Sequence, residues 1–380
     1  MHFACLRAAF SGKVSCCFEY WEKPLFRFVD FRIEHRPVII YTLILYIYLK
    51  PCLILAKCFG PGGMILKRKS LVLTVALMLL CAMVLAGCGA KSLKMATGGT
   101  TGTYYAYGGT VSQVLSSKLN NVKFDVQSTG ASKANIYLVA DGEADIAIVQ
   151  NDVMYYAYNG TDLFAGEKVS GFSAMAGLYA EVCQIVSNGK ISSIEELKGK
   201  RVSVGDVGSG CEFNARQILE AYGMTFDDIE VHNLSFSDSA TALKDDKIDA
   251  FFCVAGAPTT AIVELATSNT INLLQVDDEH AAKLMEKYPF YTQYNIPGNT
   301  YKGVTEDVKT VAVVATFIVS EKLEDDLVYQ MTKALFENAA EIAAAHPKGA
   351  ELNAEYSVSS ISIPLHPGAE KYYKEIGALK

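Results

Sequence analysis

Arginine is nearly absent from most of this 380-residue chain: from residue 89 onward only Arg201 and Arg216 occur. Recognition of phosphate or carboxylate by a flat, two-pronged guanidinium therefore has few candidates. Arg201 opens an expected strand, at the end away from any cleft, and Arg216 lies more than a turn into an expected helix. Tryptophan is rarer still, with Trp21 alone. Basic charge is also short: residues 89–380 carry 23 basic and 37 acidic side chains, so the basic footprint of nucleic-acid binding is missing. After Cys88 only Cys183, Cys211 and Cys253 remain. They show no C-x-x-C spacing, and an odd count leaves at least one thiol unpaired. There is no Gly-Lys-Ser/Thr to close a phosphate loop, because Gly102 is followed by Thr103 and Gly210 by Cys211. A G-x-G-x-x-G fingerprint, a G-x-S-x-G elbow, an H-E-x-x-H pair and an EF-hand loop are absent as well. His232, His280, His346 and His366 share no short motif. The expectation is a chain without catalytic residues, metal ligands or cofactor.

What is present begins with a leader. Lys67, Arg68 and Lys69 precede an uncharged, almost wholly apolar run over residues 71–85, which ends in Leu85-Ala86-Gly87-Cys88. A basic patch, an apolar stretch of this length and a small-residue site make a secretory signal over residues 64–88. Its end resembles a bacterial lipobox, with Cys88 as the lipidated residue and the membrane as its anchor. A transmembrane anchor is the competing reading, and the run is short of the roughly 20 residues that a span needs. Residues 1–63 are expected to be a non-native or untranslated extension upstream of a true start at Met64. The alternative is an extra membrane segment, since residues 38–55 are also apolar.

The body repeats itself. A strand at residues 92–96 runs into Gly98-Gly99-Thr100-Thr101-Gly102-Thr103, then a helix with Tyr107, Val111, Val114 and Leu115 at spacings of three and four. An alternating strand at 122–126 ends in Ser128-Thr129-Gly130-Ala131-Ser132 and a second helix. A buried strand at 145–149 closes the unit at Gln150-Asn151-Asp152. The same order returns later: a strand at 201–204, the loop Gly205-Asp206-Val207-Gly208-Ser209-Gly210, and a helix to Tyr222 stopped by Gly223. Then follow a strand at 229–234, the loop Ser235 to Ser239, a helix, and a strand at 248–254 ending in Ala255-Gly256-Ala257-Pro258. Alternating strands and helices imply mainly parallel sheets. The expected fold is α/β, two-lobed and periplasmic-binding-protein-like (type II-like), each lobe a mostly parallel sheet flanked by helices. Residues 92–180 with 310–380 form one lobe and 181–309 the other. The tail supplies a strand at 311–319 and a long helix over 324–345.

Ligands on such sheets bind beyond the carboxyl ends of the strands, where the glycine, serine and threonine loops sit at helix N-termini that favour anions. The candidate ligand residues are Gly98, Gly99, Thr100, Tyr104, Ser128, Thr129, Gly130, Gln150, Asn151, Asp152, Tyr179, Glu181, Gly208, Ser209, Gly210, Ala255 and Pro258. Backbone N–H groups and the hydroxyls of Thr100, Ser128, Thr129 and Ser209 are expected to hold a carboxylate. Glu181 or Asp152, both expected at strand ends, would meet a ligand amino group, with capping or solvation as the competing role. Tyr104, Tyr105 and Tyr179 either wall the site or pack in the core.

Several segments together resemble the TAXI-type solute-binding proteins of TRAP transporters: ATGGTTGTYYAYGG (96–109), VQSTGAS (126–132), DIAIVQNDVMYYAYNG (145–160), ELKGKRVSVGDVGSG (196–210), IDAFFCVAGAPTTAI (248–262) and IPLHPGAEKYY (363–373). The resemblance implies two lobes that close over a small acidic solute such as glutamate or 2-oxoglutarate and deliver it to TRAP permease subunits outside the cytoplasm. The chain departs from the family at Cys211, where Thr or a small residue is commoner, and at Ala180, where proline is common. An ATP-driven (ABC) importer receptor and a binding-fold enzyme or sensor are the alternatives. If backbone amides rather than guanidinium hold the ligand, Arg216→Ala changes solute affinity by less than about tenfold, or 1.4 kcal/mol; a titration of the purified variant checks this.

Overall fold

The computed structural model describes residues 90–380. The extension, the signal segment and Cys88 lie outside the described residues. The elements run β1 (Lys91–Ala96), α1 (Thr103–Lys118), β2 (Val122–Gln127), α2 (Ser132–Ala140), β3 (Ile146–Gln150), α3 (Asn151–Asn159) and β4 (Phe172–Ser187). Then come β5 (Arg201–Ser203), α4 (Gly210–Ala221), β6 (Glu230–His232), α5 (Phe236–Lys244), β7 (Ala250–Ala255), α6 (Thr260–Ser268), β8 (Asn272–Leu274), α7 (Asp278–Lys287) and β9 (Thr292–Ile296). The chain closes with β10 (Val308–Ser320), α8 (Asp325–Glu337), α9 (Ala339–Ala345), a 3-10 turn (Pro347–Glu351), α10 (Ala354–Ser359) and α11 (Pro367–Glu375). Among the described residues no helix is long and apolar enough to cross a membrane.

The two repeats appear as two parallel three-stranded units. In the first, β1 lies between β2 and β3 and is parallel to both. In the second, β5 lies between β6 and β7 in the same way. The sequence reading of mostly parallel lobes holds for these units but not for the strands that join them. β4 and β10 are antiparallel to each other and to their other neighbours, giving the order β2-β1-β3-β10-β4-β7-β5-β6.

β4 is the longest strand, and nearly every residue in it is buried. Its side chains alternate between faces and so enter four separate apolar clusters. Met175 and Leu178 join Leu93, Ile148 and Phe317 on one face of the first unit, and Ala174 joins Ala147, Val149 and Ile318 on the other. Further along, Cys183 and Ile185 pack with Val202 and Ile218, while Val182 and Val186 pack with Phe251 and Ile262. Two pairs of core layers on one continuous sheet make a two-lobed α/β fold.

Two expectations about the tail need correction. The strand is longer than expected, Val308–Ser320, because its first residues carry β9 as well. The single helix over 324–345 is two helices, parted at Asn338, whose backbone leaves helical geometry (φ −111°, ψ 21°) and whose side-chain amide donates to Ala334 O at 2.8 Å. A short polar side chain that bonds nearby backbone offers the chain an alternative to continuing the helix.

The register of β4 on β10 slips at two places, between Ala315 and Thr316 and between Phe317 and Ile318, and such bulges re-aim the residues beside them. At the first slip the Gly177 amide donates to Ser357 Oγ at 2.7 Å. A Cβ there would overlap Ser360 Oγ and stand 3.0 Å from Ser357 O. Gly177→Ala should therefore lower unfolding stability by roughly 1–3 kcal/mol, the usual cost of overpacking, read as a shift of the denaturation midpoint.

Candidate functional site

The carboxyl ends of the two parallel units face each other, and their loops touch. Thr103 Oγ1, at the start of α1, donates to Gly256 O after β7 at 2.9 Å. The Phe236 ring, opening α5, stands 3.6 Å from where a Gly102 side chain would begin, and Lys133 of α2 stands at the same distance from such a point on Gly208. The Gln150 side chain lies directly against Gly210, where a Cβ would collide with its carbonyl oxygen. The loops named from sequence thus converge in one seam.

The expected donors are distributed differently from the sequence reading. Ser128 Oγ donates to Gly98 O (2.9 Å), and Thr129 Oγ1 lies within hydrogen-bond range of Thr97 O (3.0 Å) and Asn135 Oδ1 (2.6 Å). Asn135, buried, adds bonds to Thr97 O and Ile148 O. These hydroxyls tie the β1 and β2 loops together, so their hydrogens are engaged within the fold and not offered to a carboxylate. Gly99, Thr100 and Gly130 are exposed. Ser209 caps α4 by accepting from Glu212 N at 3.2 Å, and Ser235 caps α5 in the same way.

The three helices of the first unit lack such caps. The residues before α1, α2 and α3 are Gly102, Ala131 and Gln150, and none places a side chain on the helix N-terminus. Ala131 has φ 64° and ψ −148°, a region that L-residues avoid and that persists only where the surroundings impose it. Orphan N–H groups and the helix dipole favour an anion at the starts of α1 and α2, whereas at the start of α3 the side chains of Asn151 and Asp152 already accept from Asp152 N (3.0 Å) and Val153 N (2.8 Å).

Between the loops runs a buried polar layer. Tyr104 OH donates to Glu181 Oε2 at 2.6 Å, and Glu181 is 2% exposed. Glu181 lies inside β4 and not at a strand end as the sequence reading had it. Burial pushes its carboxyl well above the usual range and the Asp152 charge adds to this, against the Tyr104 bond and Lys348. Tyr179 packs edge-on against Tyr107 at 4.9 Å. Both hydroxyls, together with Gln150 Oε1 and Asn214 Oδ1, are buried without a partner among the described residues. Such orphans carry a desolvation cost unless something supplies the missing bond. Asn151 Oδ1 is engaged by the Val314 amide at 3.1 Å. Asp152, wholly buried, accepts from Asn214 Nδ2 at 3.0 Å.

Several contributors were not read from sequence. Asn214 falls on the buried stripe of α4 with Cys211, Ala215 and Ile218, and a polar residue at an apolar helical position was a legible signal. Lys348 and Glu351 carried none. Lys348 is 4% exposed, its Nζ lies 2.6 Å from Glu351 Oε1, and Glu351 Oε2 accepts from Ala180 N at 2.8 Å. With Ala257, Pro258 and Tyr294 they line a cavity of about 220 Å³ beside the seam. The two arginines stand elsewhere: Arg201 grips Asp249 at 2.8 and 3.0 Å, and Arg216 lies exposed over the Phe226 ring. Cys183, Cys211 and Cys253 are all free and buried.

Residues 95–377 match the NMT1-like family, and the chain belongs to it. Among solved structures it is similar to the alkanesulfonate-binding protein SsuA from Xanthomonas axonopodis pv. citri bound to MOPS, at 14% identity and TM-score 0.45, over 75% of this chain and 84% of that one. It is also similar to an L-cystine ABC transporter protein from Listeria monocytogenes (16%, TM-score 0.42, 69% and 98%). A third likeness is to the GluR0 ligand-binding core from Nostoc punctiforme in complex with L-glutamate (13%, TM-score 0.43, 67% and 98%).

The contact of Gln150 with Gly210 gives a direct test of the seam. Gly210 has no positive φ, so alanine there meets no backbone strain. Gly210→Ala should leave the fold intact and weaken solute capture at least tenfold by propping the two units apart, checked by comparing melting temperature with solute titration.

Proposed function

We propose that this chain is the extracytoplasmic solute-binding subunit of a membrane importer. Two lobes, residues 92–180 with 310–380 and residues 181–309, hinge on the strands they share and close over a small acidic solute. One observation carries this reading: the uncapped N-termini of α1 and α2 and several buried, unpartnered polar atoms meet in the same seam between two parallel units. A carboxylate would settle on the amides of α1 and α2. The remaining polar atoms of the solute would complete Gln150, Tyr179 and Tyr107. An amino group, where the solute has one, would face Glu181 or Asp152. Glutamate and 2-oxoglutarate are representative of the class.

A binding role fits the chemistry better than catalysis. The thiols are the strongest nucleophiles near the seam, and burial pushes Cys211 up to about 12 and holds Cys183 and Cys253 higher than usual. A thiol so protonated is unreactive. Lipidation at Cys88 would keep the receptor at the outer face of the membrane.

The importer's energy source is the finer question. Delivery to an ATP-driven (ABC) permease is our first reading, in keeping with how the cystine neighbour is named. Delivery to TRAP permease subunits is the second, favoured by the segments that resemble TAXI receptors. Solute uptake that stops when ATP is depleted while the ion gradient is held marks the first, and uptake that follows the gradient alone marks the second.

The receptor itself is tested by thermal unfolding of the purified chain against amino acids, keto acids and dicarboxylates. A true ligand at a hundredfold excess over its Kd stabilises the native state by about 2.7 kcal/mol. A sharp rise in Tm with one acid is the expected result. No shift with any of them, in protein that is folded and free of bound solute, refutes the acidic-solute reading.

A further inference from the structure

We propose that Asp152 and Asn214 form a proton-linked latch between the two lobes: closure takes up one proton, which Asp152 carries and donates to the Asn214 side-chain oxygen. The inference rests on the reading that the lobes hinge.

The geometry is a chain of hydrogen bonds that leaves the first unit at Asp152, passes through Asn214, Tyr291 and Gln217, and returns to it at Tyr156 and Asp162. Asp152 lies in the first turn of α3, and Asn214 lies on α4 in the second unit. Asn214 Nδ2 donates to Asp152 Oδ2 at 3.0 Å and approaches Tyr291 OH at 2.6 Å. Tyr291 OH donates to Gln217 Oε1 at 2.6 Å, and Gln217 Nε2 reaches back to Tyr156 OH at 3.2 Å and Asp162 Oδ2 at 3.3 Å. Asn214 and Asp152 are both 0% exposed, and Asn214 Oδ1 has no partner among the described residues. An ionised Asp152 can only accept, so it can never satisfy that oxygen. A neutral Asp152 can: its carbonyl accepts from Nδ2 while its O–H donates to Oδ1, an acid–amide pair with both bonds made. Turning the amide over would set its oxygen against the carboxylate, which again requires a proton on Asp152.

The surroundings favour the same state. Asp152 faces Asp162 from the turn after α3, Glu181 and Cys183 from β4, Tyr156 from its own helix, Asn214 from α4 and Tyr291 from the segment before β9. None of these is a cation. Burial pushes Asp152 up to about 6, with Asp162 adding, against bonds from Val153 N, Asn214 and its own backbone amide.

Opening the seam returns Asp152 to water and to the ordinary carboxylate range near 4. The closed form, with the higher value, gains stability as pH falls. The gain is complete below the open-state value and is lost as pH rises through about 6. Between pH 7 and 5 the closed-to-open ratio should rise roughly tenfold.

The test is small-angle scattering of the purified full chain, with no solute added, from pH 7.5 to 5. The wild type should compact progressively as pH falls below about 6. Asp152→Asn, whose amide donates to Asn214 Oδ1 as the neutral acid does, should be compact and insensitive to pH throughout. Asn214→Leu, which removes the orphaned acceptor, should abolish the low-pH compaction and serves if the first variant does not fold. A wild-type radius of gyration that does not change with pH, or an Asp152→Asn variant that keeps the wild-type response, overturns the proposal. Because no solute is present, this outcome is independent of the thermal-shift panel: a chain can compact with acid and bind none of the candidates, or bind one without compacting.

Discussion

One strand must serve two cores at once, and most of the architecture follows from that. β4 is buried from Phe172 to Ser187 and contributes to all four apolar clusters. A polar side chain on a strand so enclosed costs free energy unless a partner waits for it. The Tyr179 hydroxyl has none among the described residues, but two other large polar side chains do. Gln184 is satisfied within the second unit, where its amide donates to Thr259 Oγ1 at 2.9 Å and Tyr301 OH donates to its oxygen. Glu181, three residues earlier, instead meets Tyr104 of α1. The shared strand thus bonds to each unit in turn, and the change-over falls at the seam.

The two parallel units are alike in order but not in finish. In the second, serines close the N-termini of α4 and α5. In the first, their counterparts α1 and α2 start without such help, and Ala131 is held in a conformation of order 1–3 kcal/mol above a relaxed one. Capping by Ser is ordinarily worth about 1 kcal/mol per helix, so leaving α1 and α2 bare opposite the capped α4 and α5 is a real cost in stability. The asymmetry makes sense if one unit receives an anion and the other closes on it. The serine hydroxyls of the β2 loop then act as scaffolding that keeps the amide-bearing loops in place.

How much could be read from residues alone follows from local signals. The parallel strands and the glycine loops were legible because each strand ended in turn residues and ran into an apolar helical period. The repeat fixed their order. β4 was not legible: an apolar run buried on both faces has no alternation, and nothing local marks it as antiparallel. Placing Glu181 at a strand end was the direct consequence. Ser128 and Thr129 follow β2 in a loop as the residues suggested, yet their hydroxyl partners, Gly98 O, Thr97 O and Asn135, are fixed by the tertiary fold. Lys348 and Glu351 reach the seam only through the packing of the last hundred residues, which no spacing encodes.

The shortage of arginine, the first feature of the sequence, acquires a physical sense in this setting. Two carboxyls, Asp152 and Glu181, lie wholly buried along the seam. A guanidinium placed beside them would pull both toward the ionised form and would bind them in preference to a passing solute. Backbone amides at helix N-termini are different: their partial charges are set by the fold, cannot be neutralised by a nearby acid, and lose no side-chain freedom on capture. They allow a site that favours anions to coexist with buried acids whose carboxyls are held above the usual range. Lys348, the one buried lysine among the described residues, obeys the same logic, since it is held by Glu351 and not left to compete. On the proposed reading, charge selection by the main chain and proton uptake by Asp152 are two consequences of a single exclusion, that of a free buried cation, among the described residues, from the space between the loops.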